Sequence, residues 1–278
     1  MSGFSPDWLA LREPADRLAR NRDVLAVSAL YFAARPRVSV CDLGAGTGSS
    51  LRALAELLPP EQDWTLVDYD AANLKAAREV LTAWADTAKP QGEGLLLEKS
   101  GKRITVRLWQ QDFGREAHWP ESVDLITASA LFDLVSAAWL ERFVAALAKE
   151  RTPLLAMLTA NGEISGHPYH RLDEQVAASF RRHQTRDKGF GPSAGADAAR
   201  LLEEILTENG YRPVGGESPW MLKYSSLLTE TATGIAGAVA ETGDIPTDTL
   251  QEWLMQTCLP GKTLTIGHRD VFAAMISD

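Results

Sequence analysis

A chain of 278 residues, 45% of them hydrophobic, can bury one large core. Its net charge of −9 argues against a broad phosphate-binding surface, because nucleic-acid binders gain much of their affinity from clustered Lys and Arg. The two cysteines, Cys41 and Cys258, suggest neither a disulfide framework nor a cysteine-rich metal site. No signal-peptide pattern opens the chain, and no apolar run approaches the roughly 20 residues that span a bilayer. We expect one cytoplasmic domain without a bound metal.

Residues 1–34 are predicted to be a helical cap in front of the first strand. Apolar residues recur there at helical spacing, beginning near Trp8. Pro6 and Pro14 are expected to punctuate two helices, since proline favours the first turn of a helix and breaks its interior.

A strand, a glycine turn and a helix follow the cap. Residues 38–41 are typical of a buried strand, and residues 51–58 have leucines at helical spacing. Between them, Gly44, Gly46 and Gly48 can adopt positive φ and let a ligand lie on the backbone, while N–H groups at the helix start favour a polar or anionic group. The dinucleotide fingerprint G-x-G-x-x-G would need glycine where Ser49 stands, and Asp42 precedes the first glycine by two positions.

A second carboxylate favours a ligand site over a mere tight turn. Residues 64–67 form a short strand that ends in Asp68, about 20 residues after Gly48. In a βαβ unit this acid accepts hydrogen bonds from ribose hydroxyls. Asp70 is expected to cap the helix that starts near Ala71, and Tyr69 offers an aromatic face to adenine.

A third strand, residues 104–109, is followed by Asp112 and Phe113. The pattern Asp42-x-Gly44-x-Gly46-x-Gly48, with Asp68 and Asp112 behind it, resembles the class I S-adenosylmethionine (SAM) methyltransferases. The resemblance implies a Rossmann-like α/β fold: a seven-stranded, mostly parallel sheet with helices on both faces, plus helical insertions. It implies SAM as cofactor, bound by Asp42, Gly44, Ala45, Gly46, Gly48, Asp68, Tyr69, Asp112, Phe113 and Ser129.

The same resemblance implies that the N-terminal helices close over the cofactor. Arg12, Arg17 or Arg20 would then reach the methionine carboxylate of SAM, and we assign Arg20 to the cofactor. A solvated helix face is the alternative for each of these arginines.

The rest of the chain is divided into three parts. A SAM-binding core, residues 35–160, includes a surface hairpin within 86–103, a fourth strand at 122–128, a helix at 139–149 and a fifth strand at 153–159. Residues 161–195 form an insertion around one helix at 172–183. Residues 196–278 complete the sheet with an antiparallel last strand at 262–266, and their extra helices cover the acceptor site or a homodimer interface.

Acceptor residues are harder to read, because methyl transfer from a sulfonium needs alignment and exclusion of water rather than a covalent nucleophile. A general base would be a His or a carboxylate near the methyl group. The tetrad Asn/Asp-Pro-Pro-aromatic, used by relatives that methylate planar amino groups, is absent, since Ser129-Ala-Leu-Phe stands after the fourth strand. The candidate bases, each with a structural role as the alternative, are His167, His170, His183 and Asp133.

The inserted segment is locally basic in an acidic chain. We predict a mobile lid in which Arg186 or Lys188 pairs with a carboxylate or phosphate of the acceptor and Phe190 excludes water. Trp220 is a further candidate acceptor contact. A solvated helix face followed by a linker is the alternative.

These features together favour a SAM-dependent methyltransferase that acts on an O or N atom of a small, anionic molecule, with neither a membrane nor a nucleic acid as partner. Three alternatives stay open. One is a methyltransferase-like protein that binds SAM without turnover, and another is an RNA methyltransferase. The third, an NAD-dependent oxidoreductase, is disfavoured by the G-x-G-x-G spacing.

Overall fold

Strands and helices alternate along the first part of the chain. The computed structural model describes residues 4–114 and 117–275. Its helices are α1 Pro6–Ala19, α2 Arg22–Phe32, α3 Ser49–Leu54, α4 Ala71–Trp84, α5 Ala137–Glu150, α6 Asp173–Gln184, α7 Ala198–Glu208, α8 Ser226–Ala240 and α9 Thr247–Thr257. Its strands are β1 Arg37–Leu43, β2 Glu61–Asp68, β3 Thr87–Gln91, β4 Gly94–Lys99, β5 Lys102–Gln110, β6 Leu125–Ser129, β7 Leu154–His167, β8 Tyr211–Glu217, β9 Trp220–Lys223 and β10 Thr263–Met275.

The strands form one sheet in the order β3-β4-β5-β2-β1-β6-β7-β10-β8, with β9 also paired to β10. Strands β5, β2, β1, β6 and β7 run parallel, whereas β10 is antiparallel to both β7 and β8. The predicted α/β alternation and the antiparallel last strand are therefore confirmed. The carboxyl ends of β1, β2, β5 and β6 meet at one edge because these strands run parallel. The connections between them place helices on the two faces of the sheet.

The predicted count of seven strands was wrong, because the sheet has ten. The hairpin expected within residues 86–103 does form, as β3 and β4, but β4 also pairs with β5. Leu95 and Leu97 of β4 become buried by this pairing. The short strand β9 adds to β10 in the same way and buries Trp220 and Leu222. Burial of apolar side chains thus extends the sheet at both ends.

Two strands are longer than their sequence predicts. Strand β7 continues to His167, past its predicted end at residue 159, and β10 continues to Met275, past its predicted end at residue 266. The extension of β7 pairs with residues 263–268 of β10, and the extension of β10 pairs with residues 154–160 of β7 and with β8, with register shifts next to His268 and before Val271. Each extension begins with glycine and polar residues, 161–163 and 267–270, that lack a strand pattern, so long-range pairing decides the structure there. The segment predicted as an insertion from residue 161 therefore begins as a strand.

Helix α1 runs through Pro14, so the predicted break at that proline was wrong. Leu11 and Ala15, on either side of it, pack against an apolar cluster built by β9, α6, α8 and α9. This packing offsets the hydrogen bond that proline removes. The break falls instead at Asn21, whose side chain accepts hydrogen bonds from two N–H groups at the start of α2.

Apolar side chains form three buried clusters. One contains Trp139 and Phe143 of α5, a second contains Leu51 and Leu54 of α3, and a third joins α6, α8 and α9 around Trp253. None of the helices within the described ranges, 4–114 and 117–275, is long and apolar enough to cross a membrane.

Asp270 of β10 is completely buried and joins three separate parts of the chain. Its Oδ2 accepts a hydrogen bond of 2.7 Å from the N–H of Asn21, between α1 and α2. Its Oδ1 accepts from the N–H of Leu158 in β7 and from the Ser218 hydroxyl before β9, both at 2.7 Å. Leu158 has φ of 53°, a conformation that is costly for a branched side chain and that persists only when its surroundings hold it.

We expect Asp270→Ala to lower the free energy of unfolding by about 3–5 kcal/mol, because it leaves two buried N–H groups and a hydroxyl without an acceptor. Urea denaturation would measure the change. Asp70→Ala is the matched control: Asp70 accepts only from the N–H of Ala72 at the start of α4, so its loss should cost about 1 kcal/mol. Equal effects of the two substitutions would contradict the role assigned to Asp270.

Candidate active site

A cavity of about 750 Å³ opens at the edge where the parallel strands end. Its floor comes from the turns after β1, β2, β5 and β6, and its other walls come from α1 and from a loop after α6. Residues on its wall include Phe4, Leu9, Arg12, Asp16, Gly44, Ala45, Gly46, Asp68, Tyr69, Asp112, Phe113, Ser129, Leu131, Leu134, Asp187, Lys188 and Phe190. Eight of the eleven residues predicted to bind the cofactor lie on this wall, and the other three, Asp42, Gly48 and Arg20, are not part of it.

The glycine turn is held in a fixed shape. Gly44, Gly46 and Gly48 have φ of 66°, 54° and 79°, which glycine adopts without strain. The N–H of Ala45 donates to the carbonyl of Val67 in β2, at 3.0 Å. Gly48 differs in its surroundings, because a Cβ there would contact Leu66 and not the cavity. Gly48 therefore starts α3, and the two earlier glycines face the cavity.

Asp68 links the glycine turn to the end of β2. Its Oδ2 accepts from the N–H of Gly46 at 2.8 Å, and its Oδ1 accepts from the N–H of Asp70 at 2.9 Å. Burial raises the pKa of Asp68, while these two bonds and one from Asn73 act in the opposite direction. A carboxylate has about four acceptor sites, so Asp68 keeps capacity for hydroxyl donors on the cavity side.

Asp42 is completely buried, and neither of its carboxyl oxygens has a hydrogen-bond partner of normal geometry among the described residues. Burial raises the pKa of Asp42 to about 8, although the nearby Ser50 hydroxyl and the Arg20 guanidinium act against the shift. Arg20 is buried beside Ser49, at 3.2 Å from Nη2 to Oγ, and its Nε also has no partner there. An orphaned acid and an orphaned guanidinium N–H behind a glycine turn suit the ammonium and carboxylate groups of an amino-acid ligand.

The adenine end of the predicted site is defined by β2, β5 and β6. Tyr69, Phe113 and Ser129 all lie on the cavity wall, as does Asp112. Asp112 Oδ1 accepts from the N–H of Gly114 at 2.8 Å, and the Phe113 carbonyl accepts from the Trp139 indole at 3.0 Å. These bonds fix the turn, so the second Asp112 oxygen and the Phe113 ring are in place before any ligand binds.

Helix α1 forms the roof of the cavity. Arg12 and Asp16, one helical turn apart, form a buried ion pair with Nε to Oδ2 at 2.9 Å. The Arg12 guanidinium lies over the ring of Trp220, 4.8 Å from its centroid, and the Trp220 indole donates to Asp16 at 2.9 Å. Trp220 itself is absent from the cavity wall; it supports the two charged residues that are there.

The predicted lid segment is divided between the cavity and the surface. Lys188 and Phe190 lie on the wall. Arg186 points away, with Nη1 at 2.8 Å from Glu241 Oε2. Asp187 Oδ1 accepts from the N–H groups of Gly189 and Gly191, at 2.7 and 3.0 Å. These bonds fix the shape of the turn at residues 187–191.

The four predicted bases do not gather at the cavity. His167 is exposed on β7, His170 Nε2 is 4.0 Å from Glu252, and His183 Nε2 is 3.0 Å from Glu241. None of the three lies on the cavity wall, so their positions give no support to a catalytic role.

Asp133 lies immediately behind the wall, between Leu131 and Leu134, which are both part of it. Its Oδ1 is buried and lacks a hydrogen-bond partner among residues 4–114 and 117–275. Burial raises the pKa of Asp133, and the N–H of Ala160 and the charges of Arg12 and Lys188 act against this rise. Of the four predicted bases, Asp133 is the one whose neighbours in sequence lie on the cavity wall.

Sequence reasoning missed several wall residues. The apolar ones, Leu9, Leu131 and Leu134, have no pattern that separates them from core residues. Asp16 had a usable signal, because it follows Arg12 by four positions on a helix with an apolar stripe, and such pairs face each other.

Comparison with known proteins supports the fold. No protein-family model and no curated protein matches the chain. The YcgJ protein from Bacillus subtilis is 12% identical and has a TM-score of 0.51, with 92% of this chain and 100% of that chain covered. A proposed methyltransferase from Bacillus halodurans C-125, BH2331, is 13% identical and has a TM-score of 0.50, with 89% and 96% covered. Together with the strand order, these similarities show that the chain has the class I SAM methyltransferase fold.

The raised pKa of Asp42 predicts that the stability of the protein depends on pH. A buried acid whose pKa rises from 3.8 to about 8 on folding binds more protons in the folded state, so stability is lost as pH rises through that window. Relative to Asp42→Asn, the wild type should therefore lose free energy of unfolding between pH 4 and pH 8, by on the order of 1 kcal/mol or more. Chemical denaturation of the ligand-free protein across this range measures the difference. A difference that stays constant with pH would show that Asp42 is ionised throughout.

Proposed function

We propose that this chain is a SAM-dependent methyltransferase that transfers a methyl group to an O or N atom of a small, anionic acceptor. One observation carries the proposal. The glycine turn, Asp68 and Asp112 line one cavity at the carboxyl ends of parallel strands, and Asp42 is buried at the end of β1, just before that turn. In open α/β sheets this is the edge at which ligands bind.

The residues present fit SAM. The orphaned Asp42 carboxyl and the Arg20 guanidinium suit the methionine ammonium and carboxylate groups. Asp68 has acceptor capacity for the ribose hydroxyls, and Tyr69 and Phe113 offer apolar faces for adenine. When bound, SAM supplies an electrophilic methyl group, and its carbon–sulfur bond breaks as the bond to the acceptor atom forms. A cavity of about 750 Å³ is within the usual range for small-molecule sites.

The chain's own contribution to the reaction is alignment and shielding. Leu9 of α1 and Phe190 of the loop cover the cavity from two sides, which excludes water from the reacting atoms. Lys188 brings a positive charge to the wall for an anionic acceptor. Asp133, with its unpartnered Oδ1 behind Leu131 and Leu134, is the group we assign to receive the acceptor's proton.

The alternatives differ in ligand. An NAD-dependent oxidoreductase would bind NADH, and a fluorescence titration with NADH tests this. A SAM-binding protein without turnover would bind SAM and S-adenosylhomocysteine but incorporate no methyl group from labelled SAM into a metabolite extract. An RNA methyltransferase would label RNA in the same assay, and the net charge of −9 disfavours it.

Asp68→Ala should weaken SAM binding about 10- to 100-fold, the loss expected for hydrogen bonds to an ionised acceptor. Because Asp68 also accepts from the N–H of Gly46, the same substitution loosens the glycine turn. Isothermal titration calorimetry with SAM and with S-adenosylhomocysteine measures the change. Asp70→Ala is the matched control, since Asp70 caps α4 and is not on the wall. If both variants bound SAM like the wild type, Asp68 would not belong to the site.

A further inference from the structure

The roof of the cavity carries a guanidinium held in a fixed orientation. Arg12 is 7% exposed, and it lies on the cavity wall. Asp16 binds one edge of its guanidinium, accepting from Nε at 2.9 Å and from Nη2 at 3.1 Å. Trp220 supports one face of the plane at 4.8 Å and is itself fixed by its hydrogen bond to Asp16. The side chain has therefore lost its rotational freedom before a ligand arrives.

A guanidinium has five N–H donors in a planar fork, and Asp16 uses only the Nε–Nη2 edge. Nη1 has no hydrogen bond to any residue in the described part of the chain. The edge formed by Nη1 and Nη2 is thus a second, unused pair of donors. Two parallel donors of this kind match the two oxygens of a carboxylate.

The acids near Arg12 do not meet this second edge. Asp16 already accepts hydrogen bonds from the first edge of Arg12 and from the Trp220 indole. Asp187, also on the wall, accepts two backbone N–H bonds. Asp133 attracts Arg12 at longer range, but its buried Oδ1 has no partner. The wall therefore leaves the Nη1–Nη2 edge of Arg12 unmatched, and Lys188 is a second cation on the wall.

Two arginines near the cavity both lie close to Asp16 but have different hydrogen-bond partners. Arg20 is beside Ser49 and influences Asp42, so it belongs to the glycine turn and to the methionine end of the cofactor. Arg12 is beside Trp220 and influences Asp133, so it belongs to the acceptor end. The wall near Arg12 also has apolar side chains, among them Leu9 and Leu134.

We infer that the methyl acceptor is a carboxylic acid with an apolar body, and that Arg12, oriented by Asp16 and Trp220, binds its carboxylate through the Nη1–Nη2 edge. The inference rests on the proposed function and specifies its substrate class. Lys188 adds charge, and the apolar wall residues contact the body of the acid.

The test uses the full chain saturated with S-adenosylhomocysteine, whose binding is first measured by calorimetry. Benzoate and hexanoate are then titrated beside their neutral analogues, benzamide and hexanamide. We expect each acid to bind about 10-fold or more tightly than its amide, the effect of a charge-assisted bidentate contact. Arg12→Met should abolish this preference and leave S-adenosylhomocysteine affinity unchanged. Arg12→Lys should recover only part of the preference, because it keeps the charge without the fork.

Arg17→Met is the matched control, since Arg17 is on the exposed face of the same helix and should leave the preference intact. Equal affinity for acids and amides in the wild type would overturn the inference even if either Arg12 variant failed to fold. Tighter binding of phenyl phosphate than of benzoate would also overturn it, by assigning Arg12 to a phosphate. Competition between benzoate and S-adenosylhomocysteine would move Arg12 to the cofactor. Failure of S-adenosylhomocysteine to bind would instead contradict the proposed function.

Discussion

The cavity exists because one buried carboxylate holds three separate segments against each other. Asp270 accepts hydrogen bonds from Asn21, Leu158 and Ser218, which are far apart in sequence. The first bond fixes the end of α1, the roof of the cavity. The second holds the left-handed turn within β7, and the third fixes the approach to β9 and so to Trp220. Burying a carboxylate is costly unless its acceptor capacity is used, and here three donors use it.

Near the cavity, by contrast, three buried polar groups in the described part of the chain have no hydrogen-bond partner. Asp42, the Nε of Arg20 and Asp133 Oδ1 all lack hydrogen bonds within the described ranges, although each is buried. Unsatisfied buried groups reduce the stability of a fold, and we expect a ligand in the cavity to complete these three. Ala130, on the same wall, has φ of 52°, a strained value for a residue with a Cβ. We therefore expect the stability lost in this region to be recovered as affinity when a ligand binds.

The sequence predicted the parts of this structure that depend on local pattern. Glycines at alternate positions require a turn with positive φ, and an acid at the end of β2 reaches that turn in any βαβ unit, so Gly46 and Asp68 were predictable. The extensions of β7 and β10 were not, because each begins with glycine and polar residues, 161–163 and 267–270, whose strand character comes from pairing with the neighbouring strand. The helix break predicted at Pro14 was wrong for a related reason. Proline locally favours a break, but the packing of Leu11 and Ala15 against the apolar cluster overrides this effect.

The acceptor end was predicted least well, because its residues meet only through the fold. Basic residues between 161 and 195 indicated a charged segment, but only Lys188 of the two chosen cations faces the cavity, while Arg186 pairs with Glu241. Trp220 was chosen as a direct contact, yet it lies behind Arg12 and Asp16 and is 204 positions from Asp16 in sequence. No local pattern reports such a contact. Arg12 is bound on one edge by Asp16, supported on one face by Trp220 and open on its other edge. This geometry depends on the three residues together, and it, more than any single side chain, is what can select a planar anion.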